Sequence, residues 1–77
     1  MEHAPDGADP PDCATLVGRL LGHELAWEHT GIGIRAREED LVTLAWSCWE
    51  AEGCVLAGPD ADRCAYLAGF LEAYAAG

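Results

Sequence analysis

Cys48, Cys54 and Cys64 are separated by six and ten positions, and Glu50 and Glu52 stand between the first two. Thiolates and carboxylates are groups that zinc accepts, so Cys48, Cys54, Cys64 and Glu52 make a candidate metal set. Structural zinc sites usually bring their ligands in close pairs that turn the chain sharply around the ion. Here there is no Cys-x-x-Cys and no histidine pair at helical spacing. The competing expectation is packing. Cysteine is small and readily buried, and Cys13, Cys48 and Cys64 all fit apolar stripes. A redox role is the third reading, and it needs an exposed thiol of lowered pKa at Cys48 or Cys54. The default is therefore no cofactor, with zinc as the alternative.

A second group could hold a ligand. Trp46, Trp49, Glu50, Tyr66 and Phe70 combine apolar rings with one carboxylate, the mixture typical of small-molecule pockets. Core filling competes with this reading, because large aromatic side chains are mostly buried. The histidines add little. His23 and His29 are six apart, hence on different faces of a helix, and His3 lies in the polar N-terminal stretch. No nucleophile is placed beside them, so acid–base catalysis finds no partner group, and no enzyme is expected. "GIG" lacks the third glycine and the lysine of a phosphate cradle. The carboxylates Glu38, Glu39 and Asp40 read as a solvated face.

These residues must be positioned by a short chain. Seventy-seven residues make one small domain, and 51% of them are apolar. A single core of this size supplies only a few kcal/mol, so a partner chain, ligand or metal would help. With no lysine, four arginines and fourteen carboxylates the net charge is -10. That charge repels phosphates, which excludes nucleic acid and anionic membranes as expected partners. No apolar run is long enough to span a bilayer. "MEHAPDGADPPD" is unlike a secretion signal, so a cytoplasmic location with reduced thiols is expected.

Residues 1–11 read as a disordered arm, and residues 12–77 as the domain. Asp12 can cap a first helix whose apolar positions are Cys13, Leu16, Val17, Leu20, Leu21 and Leu25, ending by Gly31. Gly18 and Gly22, one turn apart, either let another element approach or simply weaken that helix. Residues 32–47 read two ways. As a hairpin, Ile32, Ile34 and Ala36 alternate with polar or small residues, a turn at Glu38–Asp40 follows, and Leu41–Trp46 returns. As a helix, Leu41, Leu44, Ala45, Cys48 and Trp49 share a face behind three acidic first-turn residues. In the hairpin Trp46 and Cys48 face the core and Trp49 the solvent. Pro59 suits the first turn of a last helix, with Cys64, Leu67, Ala68, Leu71 and Tyr74 as its stripe.

"SCWEAEGC" followed by "DRCAYLAGFLEAY" resembles the C-terminal half of the 4-vinyl reductase domain family, across about residues 31–76. In that resemblance Gly31–Gly33 opens a first strand, Leu41–Trp46 is the second, and Ser47 with Glu50 and Ala51 forms a corner. Cys64, Ala68, Gly69 and Phe70 match the closing helix. One extra residue, Cys48 or Trp49, separates Ser47 from Glu50, and only Cys64 has a counterpart among the family's zinc ligands. The resemblance implies an α+β fold and ligand-binding ancestry, with the closing helix laying Cys64 over a short ribbon.

The expected architecture is thus α+β: a long helix, a two-stranded antiparallel hairpin and a C-terminal helix, with an all-α three-helix bundle as the alternative. The expected function is a small acidic, non-enzymatic module that binds a hydrophobic small molecule or a partner protein. A homodimer is the expected state, because a two-stranded ribbon alone is marginal.

Overall fold

The computed structural model of the chain describes residues 13–77, and every structural statement below concerns those residues. The arm assigned to residues 1–11 and the cap assigned to Asp12 lie outside them. Helix α1 spans Cys13–Gly31, α2 spans Glu38–Cys48, and a π-helical turn over Trp49–Gly53 leads directly into the short α3, Cys54–Ala57. Helix α4 spans Arg63–Ala76.

There is no strand among the described residues, so the hairpin is corrected to helix. The alternative bundle is what forms. Both halves of "GIGI" and "LVTLAW" have a local explanation. Gly33 is not the start of a strand but the left-handed residue (φ 76°) that terminates α1. Its N–H bonds to the Thr30 carbonyl at 3.2 Å, and the Ile34 N–H reaches back to the His29 carbonyl at 2.9 Å. This paired pattern is the Schellman motif, which needs a residue free to adopt positive φ. Glu38, Glu39 and Asp40 then form the first turn of α2, where carboxylates complement the positive helix end. Leu41, Ala45 and Trp49 are buried behind them at helical spacing. Strand alternation therefore never applies, and Trp49 is 4% exposed rather than facing solvent.

Helix α4 starts later than Pro59. Gly58, at φ 98°, ends α3. The side chain of Asp62 caps α4, accepting from the N–H groups of Cys64 (2.9 Å) and Ala65 (3.2 Å). Such a cap is worth about 1 kcal/mol. The buried residues of α4 are Tyr66, Gly69, Phe70 and Tyr74. Cys64 and Ala68 are exposed, so the expected stripe was turned about the axis and Cys64 covers no ribbon.

The core lies between three rods. Helices α1 and α4 run in the same direction, as Gly18 lies against Tyr66 and Phe70, and Arg19 pairs with Glu72. The rod from Glu38 to Ala57 returns antiparallel to both. The Tyr66 hydroxyl donates to the Ala45 carbonyl at 2.7 Å, and the Cys13 thiol reaches the Leu56 carbonyl at 3.8 Å. Helices α1 and α4 touch backbone to backbone. A methyl on Gly18 would overlap the Tyr66 carbonyl and sit 2.9 Å from the Phe70 nitrogen, and one on Gly69 would sit 2.6 Å from the Thr15 carbonyl. The α1 core face is accordingly Ala14, Val17, Gly18, Leu21, Gly22 and Ala26. Leu16 and Leu20, expected in the core, are about half exposed (50% and 51%) on the outer side.

The connection 32–37 is tied to α4. Arg35 donates to the carbonyls of Tyr74 (3.2 Å) and Ala75 (3.4 Å), and its guanidinium lies 4.7 Å from the Tyr74 ring centre. The Tyr74 hydroxyl accepts from the Ala36 N–H at 2.9 Å. It lies 2.6 Å from Nδ1 of His29, to which it donates when the imidazole carries its proton on Nε2.

Candidate functional site

A concavity of about 600 Å³, open to solvent, is lined by Trp46, Trp49, Glu50, Cys54 and Arg63. Local structure explains why these side chains meet. Trp46 lies on the last turn of α2 and Trp49 opens the π turn, where the wider i to i+5 winding re-phases the rod. Glu50 and Cys54 follow on the same rod. Arg63 is the first residue of α4, brought alongside by the Gly58–Asp62 turn. Single π turns within α-helices often occur where a helix presents a site.

Buried aromatic rings pack behind the groove. The Tyr66 ring lies 4.7 Å from that of Trp49 and 6.0 Å from that of Trp46, and Phe70 follows at 6.0 Å from Tyr66. Tyr66 and Phe70 are both fully buried. Burial pushes the Tyr66 phenol far above its ordinary range, with the charges of Cys48 and Glu52 acting the same way. It remains a protonated donor to the Ala45 carbonyl and anchors α4 to α2.

Of the five residues expected in a pocket, Trp46, Trp49 and Glu50 line the groove. Tyr66 and Phe70 lie beneath it and meet no solvent. Two lining residues were missed as pocket residues. Cys54 belongs to the candidate metal set and Arg63 to neither set. The signal for Arg63 was present, since it is the only arginine after Arg37 in a chain without lysine.

The metal set fares differently. Among the described residues no group of three or more His, Cys, Asp or Glu side chains is placed to hold an ion. Cys48, Cys54, Cys64 and Glu52 are thus not gathered as four ligands. All four cysteines of the chain are free thiols, Cys13 and Cys64 exposed and Cys48 and Cys54 half-buried. Burial raises the Cys48 thiol above its ordinary range, and Glu52, Glu28 and Glu24 add to the effect. A thiol held protonated is a poor nucleophile, the opposite of what redox chemistry asks of it.

The groove can therefore offer the half-buried Trp46 ring, a carboxylate, a guanidinium and a thiol to one visitor, with the buried Trp49 behind them. His29 is engaged with Tyr74 at the other end of the bundle. No helix of the described residues is long and apolar enough to cross a membrane. In comparisons with known proteins the chain matches no family model, no curated protein and no solved structure.

Proposed function

We propose that this protein is a non-enzymatic binding module whose groove at the π turn seats a small, largely apolar group with a polar end. The observation that supports this is the convergence of Trp46 and Trp49 with Glu50 and Arg63 around one open concavity. The half-buried Trp46 ring, backed by Trp49, gives apolar contact at little entropic cost, and the opposite charges orient a polar end. The 4-vinyl reductase resemblance adds no support, because the ribbon on which it depended is helix. Zinc has no gathered ligand set to support it, and a redox role would have to use a thiol other than Cys48. Four free thiols suit a reducing, cytoplasmic setting.

The test is a titration of the labelled protein with naphthalene sulfonate, followed by NMR of the three tryptophan indole N–H signals. The signals of Trp46 and Trp49 should move together and saturate while that of Trp27 stays fixed. Arg63→Ala should weaken the binding about fivefold, a loss typical of one charge-assisted contact at a partly exposed site. Movement of Trp27 alone, or no saturation at millimolar probe, sinks the reading.

A further inference from the structure

We propose that the outer face of α1 is a docking surface for a basic amphipathic helix of a partner protein. Leu16, Leu20 and Trp27 are 50%, 51% and 77% exposed. At about 100° per residue, Leu20 and Trp27 fall within about 40° of Leu16 around the axis. With the exposed His23 between Leu20 and Trp27, they form one stripe about 17 Å long, the footprint of some three helical turns. The face points away from α4, whose contact uses Gly18 and Gly22 on the opposite side of α1. It shares no residue with the Trp46 groove.

Charge selects the occupant. Trp27 sits with His23, Glu24 and Glu28 around a hollow of about 490 Å³. The acidic flank continues onto the neighbouring rod, since the charges of Glu24, Glu28 and Glu52 all reach the Cys48 thiol. On the other flank Arg19 is engaged by Glu72 at 3.3 Å. An apolar stripe with carboxylates beside its one large aromatic ring matches a helix that carries leucine-like anchors and flanking lysines or arginines. A cation there meets both the Trp27 ring and the two glutamates. A second copy fits less well. Each chain carries -10, has no lysine, and would bring its own Glu24 and Glu28 to the contact. The chain's first twelve residues carry four carboxylates and no lysine or arginine, and would be repelled in the same way.

The experiment uses the full chain and a synthetic leucine–lysine amphipathic helix about four turns long, with a scrambled peptide of equal charge as control. The amphipathic peptide should bind about tenfold tighter than the scrambled one, and the Trp27 indole signal should move while those of Trp46 and Trp49 stay. Leu20→Glu should weaken binding about tenfold although it makes the protein more acidic, a loss of the size expected for a central apolar anchor. Leu20 lies outside the core, so the thermal midpoint of the variant checks that the fold is kept; Trp27→Ala supplies a second, uncharged test of the same face. Unchanged or tighter binding by both variants would mean charge attraction alone and would overturn the proposal. So would a concentration-dependent dimer that Leu20→Glu dissolves, because the face would then be covered by a second copy. Failure of the Trp46 groove to bind its probe leaves this test unaffected, since the indole signals report the two surfaces separately.

Discussion

At the scale of single residues the aromatic cluster was partly legible. Trp46, Trp49, Tyr66 and Phe70 do converge, because α4 packs against the rod that carries the two tryptophans. What could not be read was which ring is wall and which is floor. That depends on helix phase, and Tyr66, fully buried, stitches α4 to the Ala45 carbonyl. A buried phenol has a measurable consequence. Its ordinary pKa is near 10, and both burial and the neighbouring charges of Cys48 and Glu52 raise it in the fold. Cys48 shifts in the same direction from about 9. In both cases the unfolded chain releases its proton first as pH rises. The folded state then binds more protons than the unfolded one, so stability falls with pH. The contribution is fully present below the unfolded pKa values and is lost as pH rises toward the folded ones. Denaturant midpoints measured from pH 7 to 11 should therefore hold level until about pH 8.5 and then decline. Tyr66→Phe should lower the whole curve, through the lost hydrogen bond, and flatten the part of the decline that sets in near pH 10. A curve for this variant as steep above pH 10 as the parent's would show that Tyr66 is not the group responsible.

At the scale of elements, α1 was readable from its helical spacing of apolar residues and its end at Gly31, but its buried face was not. Hydropathy favoured Leu16 and Leu20, whereas the contact with α4 selected Gly18, Gly22 and Ala26. The hydrophobic pattern reports which residues prefer burial; it does not report how close the neighbouring helix comes. Where two backbones touch, volume decides. The hairpin was misread for a related reason. Gly33 can start a strand or end a helix, and only the returning N–H bonds to Thr30 and His29 distinguish the two. The distinction between propensity and volume gives opposite signs for one chemical change. Glycine to alanine inside a helix is worth up to about 1 kcal/mol in favour of alanine. Gly31→Ala, with nothing within 4 Å of the new methyl, should be neutral or stabilising by less than about 1 kcal/mol, since it lies at a helix end. Gly22→Ala places a methyl 3.0 Å from the Phe70 Cα, closer still to its carbonyl oxygen, and should destabilise by about 1–3 kcal/mol as α1 and α4 are pushed apart. Gly18→Ala should behave likewise. Urea unfolding of the three variants decides it, and equal stability for Gly22→Ala and Gly31→Ala would mean that the two helices do not meet at their backbones.

At the scale of the whole molecule, composition spoke most clearly and was informative in a different way from pattern. The described residues carry ten carboxylates against four arginines, and the excess negative charges repel one another over the surface. Two ion pairs in the structure, Arg19–Glu72 at 3.3 Å and Arg37–Glu39 at 3.9 Å, are both exposed, and pairs of that kind contribute about 0–1 kcal/mol. Repulsion should therefore outweigh attraction. Raising sodium chloride from 0.1 M to 1 M shortens the screening length from about 10 Å to about 3 Å, which removes the long-range repulsion and leaves contacts inside the core untouched. Stability should rise by about 1 kcal/mol, seen as a gain of roughly 4–8 °C in the thermal midpoint for a domain of this size. The double variant Glu24→Gln, Glu28→Gln removes two of the charges without touching the core, since both side chains are exposed. Its midpoint should start higher at low salt and gain less at high salt. The same pair flanks Trp27, so the two glutamates that strain the free protein are those that a basic helix would neutralise on docking. A midpoint that falls with salt would show the surface pairs to be dominant and would remove the electrostatic reason for preferring a cationic partner.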